Sequence, residues 1–473
     1  MKHPGFIALI CATAVGLSAC NGGGASSSIP SSGNVSAFSP KFRHASGSTP
    51  IGHIIMIVQE NRTLNNLFAT FPGANGTTVG KRRIGKNKRT QNVDLTEVGL
   101  FLKKDLNHTY SGFLRAYDDG KMDGFNEVKY TVGNKAEGTA PYVYVNPSQI
   151  VPYWTLAQQY SLAAAMFTTQ GSASFTAHQD LIRGGTFIDS SHSLIDNPKY
   201  GNKAWGCDSS ADTVTSLITT DLQLQKGAGP FPCTTQFPAS GSGYATLRDL
   251  LDAQSVSWKY YTPAIGDPGA IWSAFDVIAP VRNGPEWNAN VSSPETNVLS
   301  DIANGNLPAV SWVIPDGQNS DHPNSGTDTG PSWVATVVNA IGQSQYWNDS
   351  AIVIVWDDWG GFYDPVAPPL PRDNQGGPGL RVPLMVISPY TREAVPSQPG
   401  YVSNTFYGFG SIVRFVEDTF GLGRLGTTDS TSNSIDDMLD FNQPPRPYQT
   451  IGSKYSRSYF LHQKPSHVPV DTQ

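Results

Sequence analysis

An α/β layer fold with a mainly parallel central sheet is what this 473-residue sequence predicts, on three observations. Short apolar runs recur at Ile51 to Val58, Ala309 to Ile314, Ala351 to Trp356 and Val382 to Ile387, each closed by polar, Gly or Pro residues, as strands buried on both faces are. Helical periodicity lies between them, at Tyr244 to Ala253, Pro331 to Ile341 and Ser411 to Phe420, and such alternation builds parallel sheets. The 47 Gly and 35 Pro are spread rather than blocked, so the connections read as long ordered loops.

From the N-terminus, Met1-Lys2-His3 leads into an apolar run, Phe6 to Gly16, too short to span a bilayer, which reads as a signal peptide. Leu17-Ser18-Ala19-Cys20 resembles a bacterial lipobox, making residues 1–20 a lipoprotein signal with Cys20 lipidated; an ordinary signal cut nearby is the alternative. Residues 21–48 are a Gly/Ser-rich flexible tether, and the expected location is exported and anchored to a bacterial membrane through the N-terminal lipid. Residues 49–450 then form one catalytic-size domain, in which the loop-rich interval 190–300 interrupts the alternation as a cap-like insertion, and residues 451–473 are a C-terminal tail. Within the insertion Cys207 and Cys233 are the cysteines left for the folded body, and in an oxidising compartment they pair, closing a loop worth ~3 kcal/mol in the chain-entropy model; two buried thiols are the alternative.

The formal charge of −6 is mild, and no basic block beyond Lys81-Arg82-Arg83 to Lys86-Asn87-Lys88-Arg89 points to nucleic acid. That cluster reads as a solvated loop; a rim that attracts phosphate is the lesser reading.

Two strand ends carry acids. Ile54 to Val58 ends in Gln59-Glu60-Asn61-Arg62, and Ala351 to Val355 ends in Trp356-Asp357-Asp358-Trp359-Gly360-Gly361. Glu60, Asn61, Asp357 and Asp358 together offer hard oxygen donors on a sheet rim, suited to one divalent metal, with Mg, Ca or Mn favoured and Zn possible. Either pair alone fits a loop cap equally well. At Gly171-Ser172-Ala173-Ser174, small residues lead into a helix that runs to Arg183 and stops at Gly184-Gly185. A serine there meets free N–H groups and the positive dipole end, which favour an alkoxide or a phosphate; a plain N-cap serine is the commoner case. His178 reads as a core histidine of that helix. Only His53, His108, His178, His192 and His322 lie in the body, too few for a His-rich two-zinc site, so one oxygen-rich metal site fits better.

Glu60-Asn61-Arg62-Thr63, Lys121-Met122-Asp123-Gly124-Phe125, Ser174-Phe175-Thr176-Ala177-His178, Ser320-Asp321-His322-Pro323 and Asp357-Asp358-Trp359-Gly360-Gly361 occur in one order. The set resembles the bacterial phosphoesterase family of phospholipases C and related acid phosphatases, within the alkaline phosphatase superfamily, over roughly residues 50–445. The resemblance implies an alkaline phosphatase-like three-layer sandwich and hydrolysis of phosphate esters. It implies Ser174 as the nucleophile, Glu60, Asn61, Asp357 and Asp358 as ligands of a single metal, and His108 and His322 as contacts of the phosphoryl group or leaving oxygen.

The sequence departs from that pattern at Tyr363-Asp364-Pro365-Val366, where Tyr-Asp-His-Val is common, at Ser403-Asn404-Thr405 for Ser-His-Thr, and at Gly408 for an acid. Those departures motivate one alternative, a surface binding or scaffold protein with weakened catalysis. A sulfatase or phosphonate hydrolase is the other, disfavoured because Gly171 to Phe175 lacks the Cys/Ser-x-Pro-x-Arg phrase of such sulfatases. The sequence ends soon after Pro444-Pro445-Arg446-Pro447, without the extra β-rich modules that many phospholipases C of the family carry, which favours small phosphoesters without excluding phospholipids.

Overall fold

The computed structural model of the chain describes residues 49–199, 205–233, 244–369, 377–393 and 400–470. The signal and tether expected over residues 1–48 lie outside them. Six strands form the central sheet: β1 His53–Gln59, β2 Trp258–Tyr261, β3 Val291–Ser292, β4 Val310–Val313, β5 Ser350–Trp356 and β6 Leu384–Ile387, in the order β3-β2-β4-β1-β5-β6. All neighbours run parallel except β5 and β6. Every residue of β5, and every residue of β1 after His53, is buried. Both faces are therefore covered, which is why these strands read as continuous apolar runs rather than alternating ones.

The expected runs correspond to β1, β4, β5 and β6, and the expected helices appear as Leu247–Ala253, Gly330–Gly342 and Phe409–Phe420. The helices cover the sheet in two groups. In one, Ser174–Arg183 packs beside Phe409–Phe420, and Trp312 of β4 donates its indole N–H to Leu181 O at 3.1 Å. In the other, Gly330–Gly342 packs with Val151–Gln159 and Asn297–Ala303. The C-terminal segment joins this group, its helix Arg457–His462 setting Phe460 against Trp333 at 5.5 Å between ring centroids. Among the described residues no helix is long and apolar enough to cross a membrane.

The interval 190–300 does more than interrupt the alternation, because β2 and β3 come from it and extend the central sheet beside β4. Trp258-Lys259-Tyr260-Tyr261 escaped the sequence reading for a physical reason. It is four residues long and aromatic rather than branched aliphatic, and Lys259 reaches out to Asp301 at 2.6 Å. The rest of the interval includes an antiparallel ribbon, His192–Lys199, Val214–Thr219 and Leu224–Gln225. The Cys207–Cys233 disulfide, 26 residues apart in sequence, closes a loop that holds the last two of these strands. Replacing both cysteines by serine is expected to release about 3–4 kcal/mol of loop-closure stabilisation. Limited proteolysis checks this, because cleavage within 207–233 should become faster while the sheet core stays protected.

The basic cluster also differs from the expected solvated loop. It forms a hairpin, Val79–Ile84 with Arg89–Asp94, whose Arg83 is buried and paired with Asp118, Asp123 and Glu127. The Lys121 to Phe125 motif thus anchors this hairpin through Asp123.

Register positions the chemistry. Gln59 of β1 and Trp356 of β5 form the last rung of a parallel ladder, so Glu60 and Asp357 leave the sheet side by side at its C-terminal edge. There, ligands of open α/β sheets bind. The segment beyond β4 arrives at the same edge, where Ser320 O accepts from Glu60 N at 2.8 Å.

Candidate active site

Glu60, Asn61, Asp357 and Asp358 are all fully buried, and backbone geometry holds them together. Asn61 adopts a left-handed φ of 59°, which aims its N–H at Asp357 Oδ1, 2.8 Å away. Gly360, at φ 56°, lets the next turn close over it, since a Cβ there would stand 2.2 Å from Asn61 O. That turn brings Gly360 N to Asp358 Oδ1 at 2.7 Å.

Ser174 is the first residue of its helix, entered from Ala173 in extended conformation and closed by Gly184 at φ 76°. Its Oγ donates to Asp358 Oδ2 at 3.1 Å and lies 3.4 Å from Asn61 Oδ1. The neighbouring Phe175 N–H is capped from the ribbon by Asn197 Oδ1 at 3.0 Å. One turn on, His178 is buried but is not a plain core residue. Its Nε2 lies 2.9 Å from Glu60 Oε1 and 3.9 Å from Asp357 Oδ2, and its ring stacks on Trp272 at 6.4 Å. The signal for this was in the sequence, because residues four apart on a helix share a face.

His108 Nδ1 sits 2.7 Å from Leu106 O, which leaves Nε2 facing Asn61 Nδ2 at 3.4 Å and Asp358 Oδ2 at 3.8 Å. His322 stands further out. Its Nδ1 bonds Pro323 O, and its Nε2 is 3.9 Å from Asp105 Oδ2, an oxygen also 3.9 Å from His108 Nδ1. Asp105, given no role by the sequence reading, is thus the link between the two histidines. Asn404 does not stand in for a buried histidine, being exposed at the surface beside Asn75. Pro365 follows Asp364, whose carboxylate is buried against Arg381 at 2.9 Å, and Gly408 is the extended N-cap of Phe409–Phe420.

The electrostatics are those of a cage short of positive charge. Among the described residues no Lys or Arg pairs with Glu60, Asp357 or Asp358. Burial, then Asp357 and Asp358, pushes Glu60 well above the usual carboxylate range; burial, then Asp357, does the same to Asp358. Burial holds His178 down to about 4, so a neutral imidazole supplies no compensation near pH 7. Among the described residues Glu60 Oε2, Asp357 Oδ2 and His178 Nδ1 have no hydrogen-bond partner. Donor atoms of Glu60, His178 and Asp357 lie within 4.8 Å of one another. Buried acids in this state call for a cation, and oxygen donors with one imidazole suit a divalent one.

The Phosphoesterase family matches residues 51–423 of the chain. Phospholipase C B of Mycobacterium tuberculosis is 23% identical over 455 residues, covering 84% of this chain and 79% of its own. The non-hemolytic phospholipase C of Burkholderia pseudomallei is 25% identical, over 80% of this chain and 57% of its own, and non-specific phospholipase C6 of Arabidopsis thaliana is 22% identical, over 84% and 74%. Among solved structures, a protein in the alkaline phosphatase superfamily from Vibrio parahaemolyticus aligns with a TM-score of 0.33 at 11% identity, over 72% of this chain and 73% of its own.

Proposed function

The chain belongs to the Phosphoesterase family, and on that premise we propose a metal-dependent phosphoric ester hydrolase that works through Ser174. The observation that carries the reading is the convergence, at one sheet edge, of Ser174 Oγ with three buried, uncompensated carboxyls, Glu60, Asp357 and, at 3.1 Å, Asp358. Ser174 Oγ passes its proton to Asp358 Oδ2 and attacks phosphorus as the P–O bond to the leaving group breaks, and the leaving oxygen takes a proton from His108. Water then gives a proton to His108 and attacks the phosphoserine, a new P–O bond forms, the Ser174 Oγ–P bond breaks and Ser174 takes its proton back from Asp358. His322 lines the phosphoryl side as a neutral ring, held down to about 3 mainly by burial. Glu60, Asn61, Asp357, Asp358 and His178 would hold the cation, which when bound neutralises the acids and the phosphoryl oxygens. The nitrogen of His178 shifts the favoured ion from Ca or Mg toward Mn or Zn. The substrate class is a phosphodiester of the phospholipase C type or a phosphomonoester, and the proposed location is the one the Cys20 lipobox implies.

The direct test compares nitrophenyl phosphate with nitrophenylphosphocholine before and after chelation. Turnover of either that is lost on chelation and restored by Mn supports the reading, and no turnover of either by the metal-loaded protein overturns it.

Chelation also has a pH-dependent outcome. Folded-state pKa values of Glu60 and Asp358 lie above their unfolded values, so their contribution to stability is fully present below the unfolded values near pH 4 and is lost as pH rises. The chelated protein is therefore expected to gain thermal stability between pH 8 and pH 5. The metal-loaded protein should lose stability over the same range, because protons compete with the cation for the carboxylates. Glu60→Gln should flatten the chelated profile. Melting curves with and without chelator check this.

A further inference from the structure

Two surface segments form a cationic and apolar face that the proposed chemistry leaves unused. Phe101-Leu102-Lys103-Lys104 runs directly into Asp105 and His108. Beside it, Lys129 to Ala136 forms a tight hairpin, with Lys129 bridged to Ala136 and Tyr130 N donating to Lys135 O at 3.0 Å. The segments are joined. Asn107 Nδ2 donates to Lys129 O at 2.8 Å, Asn107 N to Glu137 Oε1 at 2.7 Å, and Lys104 Nζ lies 5.4 Å over the Tyr130 ring. Leu102 O accepts from Asn324 N at 2.7 Å, two residues beyond His322. The face therefore stands on the same backbone that carries His108 and beside the loop that carries His322.

Its composition is unusual for a surface meant only for water. Val132, in the turn of the hairpin, is 84% exposed and Phe101 is 48% exposed. Lys103, Lys104, Lys129 and Lys135 are exposed, and among the described residues none forms an ion pair. Neither segment supplies an exposed carboxylate, since the flanking Asp105 and Glu137 are 3% and 6% exposed. Unpaired lysines around protruding apolar side chains match an anionic lipid interface, where the ammonium groups meet phosphates and the apolar groups enter the acyl boundary. A soluble acidic macromolecule would satisfy the lysines and leave Val132 and Phe101 in water.

We propose that this face docks on an anionic phospholipid surface and so presents the His108 and Ser174 site to lipid phosphodiesters. Docking itself does not depend on the phosphoesterase reading; only its catalytic consequence does.

The experiment uses the full chain carrying Cys20→Ser, so that no acyl anchor contributes. It measures co-sedimentation with vesicles of phosphatidylcholine alone and with phosphatidylcholine and phosphatidylglycerol in a two to one ratio. Binding to the anionic vesicles that falls with added salt is expected. Each lysine near such a surface contributes about fivefold, so Lys103→Ala with Lys104→Ala should weaken binding about 25-fold. Val132→Asp should weaken it as well, and the melting temperature of each variant should stay at the parent value. Equal partition onto both vesicles, no binding, or variants that bind like the parent would overturn the proposal. So would retention on heparin that needs the lysines but not Val132, which would indicate an acidic macromolecule. Vesicle binding without turnover of nitrophenyl phosphate would count against the catalytic reading and leave docking intact.

Discussion

Ser174→Ala is expected to lower kcat on nitrophenyl phosphate by roughly 1,000- to 1,000,000-fold, the range for removing a nucleophile whose surrounding electrostatics survive. The fold should not notice. Alanine is the best helix former, and the N–H groups at the helix start stay where they are, Phe175 N still capped by Asn197. The cation cage keeps its carboxyls and His178, so metal-dependent thermal stabilisation should persist in the variant. The parent, quenched in acid during turnover, should carry one phosphoryl group on the peptide containing Ser174, and the variant none. Activity within tenfold of the parent at unchanged stability would remove Ser174 from the role of nucleophile. Water activated at the acid cluster would then be the remaining attacking group.

How much of this was legible depended on whether a feature is local. β1 and β5 announce themselves, because a strand buried on both faces must be apolar throughout, and the acids that end them break the pattern at a sheet rim. What brings Glu60 beside Asp357 is the register Gln59 to Trp356, which no single-chain pattern encodes; it could only be inferred from both runs ending alike. The aromatic strand Trp258–Tyr261 was hidden by its length and by Lys259 at its centre. His178 was misread by weighing it alone. Taken with Ser174 four residues earlier, on the same helix face, it points to the same place as the Ser174 hydroxyl. Asp105 offered no local cue, since its meaning lies in two histidines more than 200 positions apart, 3.9 Å from the same carboxylate oxygen. The departures at Pro365 and Asn404 looked like losses from the site. Asn404 instead sits on the surface, and Pro365 borders a buried ion pair.

His108→Ala should cost ~100- to 10,000-fold on an alkyl phosphate and far less on nitrophenyl phosphate, whose leaving group departs without protonation. The geometry separates the two histidines. His108 gives its Nδ1 to Leu106 O and has Asp105 3.9 Å away, so a second proton must reside on Nε2, the nitrogen turned toward Asn61 and Asp358 beside Ser174. His322, held down to about 3 mainly by burial, is neutral at any pH where the protein would be assayed and has no proton to give a leaving oxygen. His322→Ala should therefore slow both substrates by a similar factor, as loss of a phosphoryl contact does. A leaving-group dependence seen in His322→Ala and absent from His108→Ala would exchange the two roles. Equal losses on both substrates in both variants would mean that neither ring donates the proton, leaving water as the acid.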